Sequence, residues 1–117
     1  MKATSFKIPK IEEGSFKFQE DIEQHFYDNL HTHPEIQLTY ILSSHGTCFI
    51  GHHLEPFQPN EIYLIGSNIP HVFKNDEAYY QKNTIEKAHG ISLFFKPIVL
   101  NLMNRRSFVN SRPHPFY

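Results

Sequence analysis

Residues 31–76 read HTHPEIQLTYILSSHGTCFIGHHLEPFQPNEIYLIGSNIPHVFKND, and this stretch decides the fold. Short β-branched and aromatic segments alternate in it with Gly, Pro and Asn turns. Segment 36–42 (IQLTYIL) has strand-favouring composition and is too short for a stable helix. The turn 43–46 (SSHG) leads into 47–50 (TCFI), which is expected to close a hairpin with it. A short extended piece, 54–57, ends at the turn Pro59-Asn60-Glu61, where Asn60 suits a left-handed backbone. Segment 62–65 (IYLI) is a continuous apolar run, the pattern of a strand buried on both faces. Loop 66–70 (GSNIP) then gives way to a further strand at 71–74 (HVFK).

Outward from this stretch the same grammar continues. Phe16 and Phe18 alternate with polar neighbours in 15–19 (SFKFQ), the period of a strand. Residues 21–29 are ambiguous, 30–33 are extended up to Pro34, 75–86 are polar and loop-like, and 90–95 (GISLFF) is the last strand. Strands spaced about 8–12 residues apart between turn signals argue for an all-β sandwich or barrel. One domain is therefore expected over residues 1–95. The remainder, 96–117, reads as an irregular or short helical tail, opening with a helical turn at 98–103.

The bulk composition excludes several classes. At 117 residues the chain has room for one core. Eleven Lys and Arg against 12 Asp and Glu leave a net charge of -1, with no basic footprint for nucleic acid. Arg105, Arg106 and Arg112 read as a solvated terminus. The lone Cys48 forms no internal disulfide, which suits a reducing compartment. Lys2 is followed by no apolar run, so no signal peptide is read, and no stretch reaches the ~18 apolar residues of a membrane helix. A cytoplasmic location is expected.

Nine histidines are the unusual feature. A lone histidine on an extended segment is ordinarily a surface or hydrogen-bonded core residue. His25, His45, His52, His53, His89 and His114 are read in that way, as solvated. His31 and His33 differ, because a spacing of two on a strand sends both rings to one face. Glu35 and Gln37 share that parity, although Pro34 leaves the direction of Glu35 open between site and solvent. His71 opens another strand directly after a proline loop. If the two strands are neighbours in a small barrel, His31, His33 and His71 converge. Three neutral imidazoles with an oxygen donor form a common ligand set for a divalent transition metal. The histidine face of 36–42 carries Gln37, Thr39 and Ile41, a mixed lining that suits a polar ligand. The opposite face, Ile36, Leu38, Tyr40 and Leu42, is too apolar for water and needs a second sheet, a terminal segment or another subunit to cover it. Tyr63 and Phe73 are further candidates for the pocket wall, and the alternative for both is plain core.

The stretch 31–76 resembles the two motifs of cupins as they occur in AraC-type transcription regulators. The first motif corresponds to His31, His33, Gln37 and Gly46. The second corresponds to the Pro59-Asn60 turn, His71 and Asn75. The resemblance covers residues 16–95 and implies a double-stranded β-helix, a small jelly-roll barrel. Two positions depart from the pattern. Gln37 replaces the usual carboxylate, a weaker ligand, and Asn60 replaces the turn glycine.

What the resemblance implies is a small-molecule-sensing and dimerising domain of an AraC-type regulator, without the helix-turn-helix domain that would bind DNA. A sugar or organic acid is the expected ligand class and a homodimer the expected assembly. No cofactor is required for that role. A divalent transition metal (Zn, Fe, Mn or Ni) on His31, His33, Gln37 and His71 is the candidate. A stand-alone metal-dependent cupin enzyme, a dioxygenase or sugar isomerase, is the alternative, and a ligand-free dimerisation module is a third reading.

Overall fold

The structure is a computed structural model that describes residues 4–5 and 16–98. In chain order the strands are β1 (Thr4–Ser5), β2 (Phe16–Glu23), β3 (His31–Thr32), β4 (Ile36–Ser43), β5 (Gly46–Ile50), β6 (His53–Phe57), β7 (Ile62–Ile65), β8 (His71–Asn75) and β9 (Ala88–Phe95). A single 3-10 turn, Glu77–Tyr80, interrupts the loop before β9. The strands form two sheets, ordered β1-β3-β8-β5-β6 and β2-β9-β4-β7. Among the described residues all pairings are antiparallel except the two-residue contact of β1 with β3.

The core lies between the sheets. Ile41, Tyr63 and Ile65 from one sheet meet Cys48, Ile50, Phe57 and Phe73 from the other, all buried. Phe73 is central to it, with its ring edge-on to Phe57 at 5.4 Å and to Tyr63 at 5.3 Å between centroids. Such pairs add about 0.5–1.5 kcal/mol beyond the area they bury.

The expected all-β architecture is present, with a different pairing at one hairpin. Segment 47–50 does not return along 36–42. At Ser44, with φ 119°, the chain leaves the β2-β9-β4-β7 sheet, and β5 pairs with β6 and β8 in the other. The Asp76 amide and the Asn75 side chain both donate to the carbonyl of His45 at 3.1 Å, which anchors this crossing. The hairpin is instead β5–β6, turned by Gly51 at φ 63°. Gly46 tolerates no side chain, because an added Cβ would overlap the Lys74 carbonyl oxygen and the Asn75 Cα.

Asn60 adopts φ 72°, as its position in the turn predicts. Strand β7 departs from expectation. Among the described residues it pairs with β4 alone, at a sheet edge; Tyr63 and Ile65 are buried while Ile62 is exposed. An apolar run is ambiguous between one buried face and two, and only the neighbours settle it. Strand β2 runs on to Glu23, through residues whose charge obscured the pattern. Of the tail, only 96–98 are described, with helical backbone at Pro97 and Ile98. The helical turn expected at 98–103 otherwise lies outside the described residues, as does His114.

Candidate metal centre and its cavity

His31 sits on β3 and His71 is its direct cross-strand partner at the start of β8. His33 follows β3 in the loop, where its carbonyl accepts the Asn68 amide at 2.8 Å. That bond ties the two proline loops, around Pro34 and Pro70, to one another. All three imidazoles are buried, and one ligand nitrogen from each lies within 4.8 Å of the others. The convergence expected from the spacing is therefore present.

Each ring is held from behind in the same way. Nδ1 of His31 donates to the Asn29 carbonyl at 2.7 Å, Nδ1 of His33 to that of Glu35 at 3.0 Å, and Nδ1 of His71 to that of Ile69 at 2.8 Å. A carbonyl only accepts, so the proton of each neutral ring is on Nδ1 and Nε2 is the basic nitrogen. This is the outer hydrogen bond that orients metal-ligating histidines. Burial holds His71 in the neutral form, with a pKa lowered to about 3, opposed by its bond to Ile69 and reinforced by the neighbouring His31 and His33. Burial lowers the pKa of His31 as well.

Gln37 completes the arrangement from β4 in the facing sheet. Its Oε1 stands 3.0 Å from Nε2 of His33 and 3.1 Å from Nε2 of His71. Its Nε2 donates to Thr39 Oγ1 at 2.6 Å, and Thr39 is hydrogen-bonded at 2.8 Å to Ser92, its cross-strand partner on β9. With protons on both Nδ1 atoms, the two Nε2 lone pairs face the oxygen lone pairs with no hydrogen between them. Lone pairs converging in this way are satisfied by a cation at their centre. Without one, the amide must turn over so that its NH2 donates to both rings. The donor set, three imidazole nitrogens and an amide oxygen, fits a divalent transition metal.

The remaining candidates divide between the cavity and its surroundings. Phe73 lines the cavity that opens on the histidines, a space of about 100 Å³. Tyr63 does not line it. Its ring belongs to the core and its hydroxyl donates to Glu61 Oε1 at 2.8 Å, with burial raising its pKa. Glu35 does not line the cavity either. Its carboxylate is behind His33, 3.8 Å from Nδ1, and its buried Oε1 has no hydrogen-bond partner among the described residues. Pro34 bends the chain between His33 and Glu35, so equal parity does not give equal direction.

Several wall residues went unnoticed in the sequence as parts of a site. Gln19 and Asp21 reach in from β2, with the Gln19 amide donating to the Asp21 carboxylate at 3.1 Å. Phe26 forms part of the wall because Asn75 Oδ1 accepts its backbone N–H at 2.7 Å. Gly90 lies opposite, where a Cβ would crowd the Phe26 ring at 3.2 Å. The one sequence signal for this is the alternation of Gln19 with Phe16 and Phe18, which by itself does not say which side faces inward. Among the other histidines, His25 stacks on Tyr80 at 4.3 Å and His89 pairs with Glu20 at 2.6 Å, both half-buried rather than solvated.

No family model and no curated protein matches the chain. Solved structures do. A cupin protein from Bacteroides fragilis superposes with a TM-score of 0.54 at 10% identity, covering 83% of this chain and 71% of that one. The chain has the cupin fold. A cupin 2 conserved barrel domain protein from Rhodopseudomonas palustris gives 0.52 at 15% identity, over 87% of this chain and 70% of its own. The cupin domain of Schizosaccharomyces pombe Cnp3 gives 0.51 at 13% identity, over 90% and 71%. At such identities the likeness concerns the cupin barrel, and the chemistry rests on the residues this barrel brings together. Among the described residues no helix is long and apolar enough to cross a membrane.

Proposed function

We propose that this cupin domain binds a small oxygen-bearing molecule in its barrel, at a divalent metal held by His31, His33, His71 and Gln37. The observation that carries the reading is the meeting of the Gln37 oxygen with two imidazole nitrogens whose protons are committed elsewhere. A metal there would supply a Lewis-acidic contact for a hydroxyl or carboxylate. Phe26, Phe73 and Phe94 supply apolar wall, while Thr39, Ser92 and Asp21 supply hydrogen-bonding groups. This division suits a sugar fragment or a short organic acid.

The role of the bound molecule in this proposal is that of a signal. The motif resemblance to AraC-type regulators supports it, as does the neutral Gln37 in place of a carboxylate. Ligand binding would then shift a population between states of the barrel that an attached DNA-binding domain can read. Asp21 favours a second reading, catalysis, because it puts a carboxylate on the cavity wall where a general base could act.

The test is metal analysis of purified protein, followed by a thermal-shift screen of sugars and organic acids with and without chelator. The expected result is stoichiometric Zn, Fe, Mn or Ni that is lost in His31→Ala and His71→Ala, with ligands that stabilise the fold and are recovered unchanged. At a hundred times its dissociation constant a ligand adds about 2.7 kcal/mol. Protein that stays metal-free after incubation with each ion removes the metal. A ligand recovered as product replaces the sensor with the enzyme.

A further inference from the structure

The carboxylate of Glu35 is one that the cavity does not use. Its side chain is 14% exposed, and Oε1 stands 3.8 Å from Nδ1 of His33 without a hydrogen-bond partner among the described residues. An ionised group taken out of water needs an opposite charge or hydrogen bonds in place of its hydration. The Nδ1 proton of His33 does not serve, because it goes to the backbone carbonyl of Glu35 at 3.0 Å. Lys96 lines the same surface cleft as Glu35, yet among the described residues no lysine or arginine forms an ion pair with it. A second imbalance lies on the other side of the same ring. Three imidazoles and the Gln37 amide make a wholly neutral donor set, so a divalent ion there keeps both its positive charges in a buried site. The His33 ring separates the two, with Nδ1 toward Glu35 and Nε2 3.0 Å from the Gln37 oxygen.

We infer that Glu35 compensates the charge of this metal centre through the His33 ring, supplying from behind the negative charge that Gln37 does not supply as a ligand. This role rests on the metal centre proposed above. An imidazole that donates its Nε2 lone pair to a cation takes on positive charge, and a carboxylate behind Nδ1 stabilises that charge and strengthens the donor. Burial leaves the interaction little screened by salt. Partners of this kind govern metal affinity by about 10–100-fold although they never touch the ion. The other carboxylate at the cavity, Asp21, already accepts from the Gln19 amide at 3.1 Å. Glu35 is thus a positioning residue, and the bend at Pro34 lays it against the back of the ring instead of in the cavity.

The experiment is titration calorimetry of the full chain with Zn²⁺ and with Mn²⁺, paired with urea midpoints in chelator. The chains compared are the natural sequence, Glu35→Gln, Glu35→Asp and, as a control for net charge, Glu77→Gln at an exposed position. Glu35→Gln keeps the shape of the side chain and should weaken metal binding about tenfold. Its metal-free midpoint should stay at or above that of the natural protein, because a buried charge has been removed. Glu35→Asp keeps the charge and should bind more tightly than Glu35→Gln, and Glu77→Gln should bind as the natural protein does. Natural protein that takes up metal while Glu35→Gln binds it equally well overturns the inference and leaves the metal centre standing. So does a lowered metal-free midpoint in Glu35→Gln, which would make the residue a structural support, or an equal loss of affinity in Glu77→Gln. Equal affinities in Glu35→Asp and Glu35→Gln overturn it as well. Natural protein that binds neither ion removes the metal centre itself, and the role of Glu35 with it.

Discussion

His31 and His71 face each other across the antiparallel β3–β8 pair, their ring centroids 4.3 Å apart. Directly opposed residues on one face of a sheet are its closest side-chain neighbours. The pairing therefore makes the candidate metal centre a property of the ladder, and His33 and Gln37 are added to it by a loop and by the facing sheet. Substitutions in each of these supports have distinguishable consequences.

Gln37→Glu keeps the shape of the side chain and gives the oxygen a charge. Two imidazole nitrogens already stand 3.0 and 3.1 Å from that oxygen. The carboxylate should tighten Zn²⁺ or Mn²⁺ binding at least ~tenfold, about 1.4 kcal/mol, read by titration calorimetry. Unchanged affinity would place Gln37 outside the ligand set.

Acid should destabilise the metal-free fold through His71. Its folded pKa is lowered to about 3 by burial, below the ordinary histidine value of about 6.5. Between those values the unfolded chain binds a proton that the native state refuses, so stability is complete above about pH 6.5 and falls as the pH drops. The slope is up to about 1.4 kcal/mol per pH unit for one such group, and His31, lowered for the same reason, adds to it. Urea midpoints in chelator from pH 7 to pH 4 measure it. His71→Gln should flatten the dependence, and an equal slope in that variant would assign the acid sensitivity to other groups.

Gly46→Ala should cost roughly 3 kcal/mol, the upper range for forced overpacking. The new Cβ would meet backbone, the Lys74 carbonyl and the Asn75 Cα, on the strand that also carries His71. Backbone relaxes far less readily than a side-chain tip. The urea midpoint reads the loss, and a midpoint within error of the natural protein would mean that β5 and β8 are not so close.

Cys48 should resist alkylation in the native state. Burial raises its pKa to about 11, and the reactive species is the thiolate. Two pKa units above an ordinary thiol mean a ~100-fold smaller thiolate fraction near pH 8, before access is considered. Iodoacetamide labelling followed by mass spectrometry should be complete in denaturing urea and negligible without it. Rapid native labelling would show that the β5 core opens readily.

Much of the site is legible from local spacing. The inward set Gln37, Thr39 and Ile41 follows from period two along a single strand, and all three are buried as that period requires. The pairing of segment 47–50 was not legible in this way. A hairpin between neighbouring segments satisfies the same turn residues as a crossing between sheets, and the crossing is held by distant residues, with the Asp76 amide and the Asn75 side chain both bonded to the His45 carbonyl. Glu35 and Tyr63 show the same limit, since one shares the histidines' parity and the other lies on a neighbouring apolar run, and neither reaches the cavity.

By itself the sequence determined the class of fold, the left-handed turn at Asn60 and the inward parity of the metal-ligand candidates, because each depends on covalent geometry and on the alternation of neighbouring residues. Only the tertiary structure decided which strands pair, that the Gln37 oxygen meets the nitrogens of His33 and His71, and that β2 turns its phenylalanines outward. Apart from the short step from His33 to Gln37, those relations depend on residues tens of positions apart, where the free energy of packing selects among arrangements that local preference leaves equal.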